Sequence, residues 1–341
     1  MEIEVFREDV DPEKWDSLLS RSAYDVHNIY QTREWARLMK RSHGMTPFFV
    51  MLSQDNRLYG GHVYFKKKIL KAFTSIESSG GPLCIDDSHW RSSEEAVLEQ
   101  LLTDTDRPLY ILTRPRMLPG SESQYADHGF QRSKFYTILL SLAQQKDKLW
   151  AGLSQNARRG VRKAEKLGIV VKEARDWELW KDFYSIHRSH SRDRGIAAKN
   201  LDFFEELYTR FLPKEMAELL IAFDGGSVVG GMLFLSCRGT LTYYIGASDD
   251  SCACSPHDIL FWNAISLGNE RGFATFDLGD TWPNPKSHLY SIHMFKEKWG
   301  GTLVENSFYI RGRMYRFGRD LVLNNRPIQT LYESLHQREW I

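Results

Sequence analysis

Apolar and polar positions alternate in the same way in two blocks of the chain. The first block has two β-rich runs joined by a polar turn, at residues 48–52 and 58–65, which is the pattern of a β-hairpin. The second block repeats that pattern at residues 219–222 and 228–235. The glycine pairs Gly60-Gly61 and Gly230-Gly231 stand 170 residues apart, and residue types agree along both hairpins. The shared offset predicts an internal duplication.

The flanks of the two hairpins also agree. A helix is predicted before each one, and each is followed by a glycine-containing strand end, a helix and another short strand. A generic hairpin would explain the turns but not these matching flanks. We therefore predict an α+β (α/β) fold of tandem duplicated domains with a cleft between them. The predicted parts are residues 1–150, residues 151–312 and a helical tail at residues 313–341.

Residues 241–306 are predicted to hold the chemical centre. A strand is expected at residues 241–248, followed by a helix with Ser255 as N-cap, Pro256 at its first position and Asp258 completing a capping box. The next strand, residues 273–278, opens into Gly279 and Asp280. A loop then leads to Lys296, which lies between bulky aromatic residues, and we take its ammonium as the centre of the site.

Residues 157–168 are the most basic part of the chain, with five cations and one anion. A helix is predicted here, capped by Ser154 or Asn156 and ended by Gly168. Arg158, Arg162 and Lys166 stand four residues apart, so they are expected on one face. That face either grips phosphate groups or is simply solvated. The basic, aromatic C-terminal tail is interpreted as a solvated packing helix.

Composition limits the class of protein. With 341 residues, 42% of them hydrophobic, the chain has enough apolar material for two domains. Its 45 Lys and Arg against 44 Asp and Glu leave a net charge of +1, so an affinity for nucleic acid or membrane has to come from local patches. The N-terminus is charged and no apolar stretch is long enough to span a bilayer, so a cytoplasmic protein is expected.

Metal and nucleotide motifs are missing from the sequence. Four cysteines are too few and too unevenly placed for a disulfide framework. Cys252, Cys254 and His257 are close in sequence, but no second ligand pair follows at finger-like spacing, so no metal site is predicted. The sequence also lacks the P-loop, the dinucleotide fingerprint, the nucleophile elbow and the zinc-protease motif.

An ordered set of motifs resembles the Fem-type (FemABX) peptidyltransferases of the GNAT acyltransferase superfamily. The motifs are Arg158-Arg159-Gly160-Val161-Arg162-Lys163, then Phe276-Asp277-Leu278-Gly279, then Phe295-Lys296-Glu297-Lys298-Trp299-Gly300. Further matches are Gln31-Thr32-Arg33-Glu34-Trp35, Gly60-Gly61, Leu149-Trp150 and Tyr244-Ile245-Gly246-Ala247-Ser248. Together they cover most of residues 30–312.

The resemblance implies two GNAT-like domains with the acceptor site at their junction. Family members move an aminoacyl group from aminoacyl-tRNA to the amine of a peptidoglycan precursor. By position, Lys296 would stabilise the reacting carbonyl and Phe295 would shape its pocket. Arg192 would contact an acceptor phosphate and Tyr244 would line the acceptor cleft.

Three further residues, Arg158, Arg162 and Lys40, complete the predicted substrate-binding set. The lysine that the family carries after its N-terminal Trp is not at the expected place. Lys40, five residues after Trp35, is its nearest counterpart. The chain also has no long coiled-coil insertion of the kind that some family members carry. A cell-wall precursor as acceptor is therefore a weaker expectation than the fold.

The expected chemistry agrees with these residue types. Acyl transfer to an amine needs a donor for the developing oxyanion and an acceptor for the amine proton. Lys296 is predicted to supply the first. Asp280 is the candidate for the second, because Asp277 is better explained as a turn or capping carboxylate.

Three functions stay open from the sequence. Transfer from aminoacyl-tRNA to an amine of a cell-envelope precursor is favoured, because the diphosphate-binding loop of CoA-dependent GNAT enzymes is absent before the helix. The alternatives are an acyl-CoA N-acyltransferase acting on an amino sugar or small amine, and a non-catalytic module that binds a nucleotide- or lipid-linked sugar. No tightly bound cofactor is expected. A lysine stacked on Trp299 would give the same sequence pattern without catalysis.

Overall fold

The computed structural model describes residues 2–22, 28–55, 57–69, 73–103, 108–115, 122–249, 255–287 and 289–312. Within them the chain forms two compact units, one of residues 2–134 and 306–312 and one of residues 135–305. The predicted tail, Cys252 and Cys254 lie outside the described residues. The domain boundaries proposed at residues 150 and 312 stay a prediction.

The first unit is an α/β arrangement around a mixed sheet. Its elements are β1 (Glu2–Arg7), α1 (Pro12–Arg21), α2 (Arg33–His43), β2 (Thr46–Gln54), β3 (Arg57–Ile69), β4 (Phe73–Ser79), β5 (Leu83–Cys84), α3 (Trp90–Thr103), β6 (Tyr110–Arg114) and α4 (Glu122–Asp127). β1 to β4 pair antiparallel in order, and β4 runs parallel to β6. Thr32 caps α2 by accepting a hydrogen bond from the Trp35 amide, and Gly44 ends the helix at a φ of 62°.

The second unit has the same plan. Its elements are β7 (Gln131–Ser141), α5 (Lys146–Gly152), α6 (Gln155–Lys166), β8 (Val170–Glu173), α7 (Trp177–Arg194), α8 (Leu201–Glu206), β9 (Ala217–Asp224), β10 (Ser227–Cys237), β11 (Thr240–Ser248), α9 (His257–Glu270), β12 (Thr275–Thr281), α10 (Tyr290–Glu297) and β13 (Thr302–Arg311). The first residues of β7 and the last of β13 belong to the first unit. β8 to β11 pair antiparallel through β9 and β10, β11 runs parallel to β12, and α9 connects that parallel pair.

The two hairpins share one register. Gly60 and Gly61 pair with Leu52 and Met51, and the residues 170 positions later pair in the same way, Gly230 with Ala222 and Gly231 with Ile221. The register also shifts at the same step, just before each glycine pair. A generic hairpin pattern would not place a β-bulge at the same position in both hairpins. The predicted duplication of one α+β unit is therefore confirmed in these strands.

Several predicted boundaries differ from the structure. Residues 190–194 belong to α7, which continues to Arg194 and ends at Gly195 with a φ of 66°. Lys296 lies on α10 rather than in a loop. That helix has no side-chain cap at Leu289, so the sequence carries no start signal for it. β1 and β13 were not predicted.

The start of α9 also differs from the prediction. The helix begins at His257 with Pro256 as its N-cap residue and without a side-chain cap. Ser255 instead lies beside the His257 ring, at 3.3 Å from its Nδ1. Asp258 closes no capping box, because its carboxylate binds Lys298. A partner distant in sequence has replaced the local cap.

Candidate active site

The parallel strands β11 and β12 frame the candidate site. They pair from Thr240 with Thr275 to Thr242 with Asp277. Beyond that point β11 continues to Ser248 and β12 to Thr281 without pairing to each other, so the strands separate. Phe261 of α9 packs against Tyr243 of β11 and Phe276 of β12. Strands that part in this way expose main-chain groups, which bind either a ligand or a side chain.

A bulge at Gly279 shapes the β12 side of this gap. Gly279 has a φ of 76°, a conformation that side-chain-bearing residues rarely adopt, and the pairing of β12 with β7 shifts between Asp277 and Asp280. The buried Asp277 carboxylate accepts hydrogen bonds from the Gly279 amide, at 2.8 Å, and from the Thr137 hydroxyl. Asp277 therefore holds the bulge, in agreement with the turn role expected for it.

Lys296 places its ammonium at the point of separation. Only 5% of the residue is exposed, and Nζ donates a hydrogen bond to the carbonyl of Asp280 at 2.7 Å. The same Nζ lies 5.4 Å from the ring centroid of Tyr243 on β11. The ammonium thus contacts both strands just beyond their last pair. A Cβ on Gly279 would lie 3.1 Å from the Tyr243 carbonyl and in ordinary contact with Nζ at 3.4 Å.

Burial changes the acid–base behaviour of Lys296. Loss of hydration lowers its pKa to about 8, and the charges of Asp280 and Asp277 oppose part of that decrease. The group is therefore still mainly an ammonium at neutral pH, but its proton is more easily lost than that of a surface lysine. A cation in a poorly hydrated site interacts strongly with a developing negative charge.

The lysine stacked on Trp299 is Lys298, not Lys296. Lys298 Nζ lies 5.2 Å from the Trp299 ring and 4.5 Å from the Phe295 ring, and it forms an ion pair with Asp258 Oδ1 at 2.5 Å. The stacking of a lysine on Trp299, which the sequence allowed as a non-catalytic explanation of this motif, is therefore made by Lys298. It leaves the ammonium of Lys296 on the strand side.

Aromatic side chains fix the position of α10. Phe295 is half-buried, with its ring centroid 5.1 Å from that of Phe261 on α9. The Tyr243 ring lies 5.0 Å from Phe261 on the other side. Gly246 leaves space for Tyr243, because a Cβ at this position would meet the Tyr243 hydroxyl at 2.5 Å. Rings on both sides thus restrict the space around Lys296.

Tyr244 and Arg192, both predicted to bind the acceptor, lie apart from this gap. Tyr244 stacks on Phe203 and accepts a hydrogen bond from Lys199 Nζ at 3.4 Å. The Arg192 side chain is 77% exposed, with Nε 3.5 Å from Asp193 and an Nη2 hydrogen bond to Ser189. The residue of α7 that meets the end of β11 is His190, 3.3 Å from the Ser248 carbonyl. The acceptor roles of Tyr244 and Arg192 stay predictions.

The remaining candidates have different surroundings. Arg158 Nη1 donates to the carbonyls of Ala151 and Leu153 at 2.9 and 2.5 Å, so it caps the end of α5. Arg162 is exposed and lies over the Trp150 ring at 5.5 Å. Lys40 belongs to the first unit, where it is exposed and pairs with Glu8 at 2.8 Å.

Sequence reasoning missed three residues that shape the site. Tyr243 lies under Lys296, Thr137 holds Asp277, and the buried His293 accepts or donates a hydrogen bond at 3.2 Å to Thr281 from the same face of α10 as Lys296. The alternation of residues along a strand could not show whether Tyr243 or Tyr244 faces Lys296. The pairing of β11 with β10 shifts register between Leu233 and Phe234, so the alternation is interrupted there. Thr137 is 140 residues away from its partner, and no local signal could have found it.

No group of three or more His, Cys, Asp or Glu side chains is close enough to hold a metal ion in the described part of the chain. No helix in those residues is both long and apolar enough to cross a bilayer.

The chain is similar in sequence to a known domain family and in fold to several solved structures. Residues 152–283 match the family model of the acetyltransferase (GNAT) domain. The crystal structure of FemX has a TM-score of 0.73 and 16% identity, over 98% of this chain and 100% of that chain. L-PGS from Bacillus licheniformis has a TM-score of 0.60 and 14% identity, over 96% and 98%. A tandem GNAT protein from the clavulanic acid biosynthesis pathway has a TM-score of 0.50 and 10% identity, over 91% and 98%.

At these identities, the likeness to solved structures concerns the fold. No curated protein sequence matches the chain. The family model covers β8 to β12 and thus the separating strands, the α9 helix and the bulge. Residues 152–283 therefore match the GNAT acetyltransferase domain, and the chain is an acyltransferase that shares its fold with FemX.

Proposed function

We propose that this enzyme forms an amide bond by transferring an aminoacyl group from aminoacyl-tRNA to an amine of a cell-envelope precursor. The observation that carries the proposal is the ammonium of Lys296, buried where β11 and β12 separate. The motif resemblance to the Fem-type peptidyltransferases, which use aminoacyl-tRNA, supports an aminoacyl donor. The missing diphosphate loop before α9 argues in the same direction, because it removes the usual cradle for CoA.

The proposed reaction is a direct attack of the acceptor amine on the donor ester. A C–N bond forms, the ester C–O bond breaks, and the carbonyl oxygen carries negative charge in between. The Lys296 ammonium neutralises that charge while its hydrogen bond to the Asp280 carbonyl keeps it aimed at one position. The amine loses one proton, which passes to the leaving oxygen of the tRNA ribose either directly or through the Asp280 carboxylate.

The transfer rate is expected to fall as pH rises through about 8. The cause is deprotonation of Lys296, whose pKa burial lowers to about 8. Lys296→Arg should remove this decrease, because guanidinium does not lose its proton in this range. Asp280→Asn should move the decrease to lower pH, since the Asp280 charge helps Lys296 to keep its proton. The measurement is kcat against pH from 6 to 10.

The same pH profiles distinguish two roles of Asp280, which are to help Lys296 keep its proton and to take the proton of the amine. If its carboxylate takes the amine proton, Asp280→Asn should also lower kcat at every pH, in addition to its effect on the decrease near pH 8. A falling limb that stays unchanged in Lys296→Arg would contradict the assignment of this limb to Lys296.

The donor is tested by direct competition between classes. Purified enzyme and an amine acceptor are incubated with aminoacyl-tRNA or with acyl-CoA, and consumption of each donor is followed. Turnover with aminoacyl-tRNA alone is expected. Turnover with acyl-CoA alone would instead favour the N-acyltransferase alternative, and tight acceptor binding without turnover of either donor would favour a non-catalytic module.

A further inference from the structure

One face of α6 carries cations that no described acidic side chain neutralises. Arg159, Arg162, Lys163 and Lys166 are all exposed, and none forms an ion pair within the described part of the chain. Some other surface lysines of this unit are paired, for example Lys146 with Glu270 at 2.8 Å. The net charge of the whole chain is only +1, so this face is a local concentration of positive charge.

The helix geometry places the four cations together. Ala157, Val161 and Ala164 are buried and form the inner face of α6. At about 100° per residue, the four cations lie on the opposite side, around Lys166. The sequence had suggested Arg158 as part of this face, but its guanidinium is bound to the end of α5.

The length and polarity of this face indicate the kind of partner it fits. From Arg159 to Lys166 the helix advances about 10 Å, which suits a row of phosphates better than a single small anion. Every exposed residue from Gln155 to Lys166 is polar or charged, and the exposed apolar Leu167 stands alone at the C-cap, so α6 has no apolar side to insert into a membrane. Arg162 also lies over the half-buried ring of Trp150, a surface of the kind that single-stranded nucleic acid contacts.

The α6 helix is connected to the candidate active site through short contacts. Gly160 packs directly against the first turn of α9, where a Cβ would lie only 1.8 Å from Asp258 Oδ2. Asp258 binds Lys298, and Lys298 covers Phe295, the residue before Lys296. A glycine inside a helix costs about 1 kcal/mol relative to alanine, and here it allows α6 to lie against α9.

We propose that Arg159, Arg162, Lys163 and Lys166 on α6 bind the phosphodiester backbone of a tRNA next to its aminoacylated 3′-terminal trinucleotide. The inference rests on the proposed donor and adds the surface that holds it. The cations contribute electrostatic affinity without reading sequence, as backbone contacts do.

Neutralising three of these cations tests the proposal. The variant R159Q/K163Q/K166Q keeps Arg162, which packs on Trp150, and Gln supports helix formation nearly as well as Lys and Arg. Binding of uncharged tRNA is measured by fluorescence anisotropy between 50 and 300 mM salt. At about 100 mM salt we expect a roughly 10- to 100-fold loss of affinity, and a salt slope shallower by about two to three.

A matched control removes the same charge elsewhere. K68Q/K172Q/R210Q also lowers the net charge by three, at exposed positions outside α6. This control should bind tRNA within about twofold of the unchanged protein. Equal losses in both variants, or no loss in the α6 variant, would overturn the proposal. It would also be overturned if the α6 variant lost binding to phosphatidylglycerol vesicles while tRNA binding stayed the same.

A short donor separates this inference from the proposed function. An aminoacylated 3′-terminal trinucleotide lacks most of the backbone, so the α6 variant and the unchanged protein should use it at equal rates. If acyl-CoA proves to be the donor, the proposed function is wrong, and the tRNA-binding measurements alone then test whether α6 binds tRNA. If aminoacyl-tRNA is used but the α6 variant binds and reacts normally, the function stands and this inference fails.

Discussion

Lys296→Met is expected to lower kcat by about 100- to 1,000-fold, the usual cost of losing one donor to a reacting oxyanion. The substitution removes the ammonium but keeps a chain of similar length between Tyr243 and β12. KM for both substrates should change little, because the interaction is made mainly in the transition state. Turnover equal to that of the unchanged enzyme would remove Lys296 from the mechanism.

The same substitution is expected to stabilise the folded protein. Burial lowers the pKa of Lys296 from its ordinary 10.5 to about 8, so keeping it charged in the fold costs about 3 kcal/mol at pH 7. Met removes that cost but leaves the Asp280 carbonyl without its donor, which costs about 1–2 kcal/mol. The net gain should be about 1–2 kcal/mol in urea unfolding at pH 7.

The pH dependence of stability tests whether the buried charge of Lys296 destabilises the folded protein. Between about pH 8 and pH 10 the unfolded chain binds a proton at Lys296 that the folded protein has lost, so this residue makes stability rise with pH across that window. The Met variant should lack this rise. Lys298→Met is the contrasting control, because it leaves the Asp258 carboxylate poorly hydrated without its partner and should destabilise the fold.

The sequence predicted the parts of the site that depend on local pattern. The repeated hairpins, the strand ending in Asp277 and Gly279, and Lys296 itself were all found from short motifs. The sequence could not show whether Lys296 or Lys298 stacks on Trp299, because both lysines stand close to the same aromatic residues in sequence. Only the packing of α10 against Phe261 decides which lysine faces the strands.

Long-range contacts account for most of what the sequence did not show. Ser255, Pro256 and Asp258 have the pattern of a capped helix start, yet Asp258 is held by a lysine 40 residues away. Gly160 gave no sign that it marks the contact with Asp258. In both cases a tertiary contact outweighed a local preference worth about 1 kcal/mol.

Gly231→Val is expected to destabilise the protein by about 3 kcal/mol, because the duplicated fold leaves no room at this strand position. A Cβ on Gly231 would lie 2.7 Å from the Phe183 ring and 3.0 Å from the Leu220 carbonyl, and the carbonyl belongs to a paired strand that cannot move away. The midpoint of urea unfolding measures the loss. Ser227→Val, at an exposed position on the same strand, should change stability by less than about 0.5 kcal/mol.

The duplication makes a matching prediction for the first unit. Gly61 stands at the equivalent position, where a Cβ would lie 2.6 Å from the Leu18 side chain and 2.9 Å from the Val50 carbonyl. Gly61→Val should therefore destabilise the protein by an amount similar to Gly231→Val. If only one of the two substitutions were harmful, the glycine pairs would share a sequence pattern without sharing a packing role. A similar cost at both positions would mean that each copy needs its glycine for the same reason, the close approach of a helix to the second strand of the hairpin.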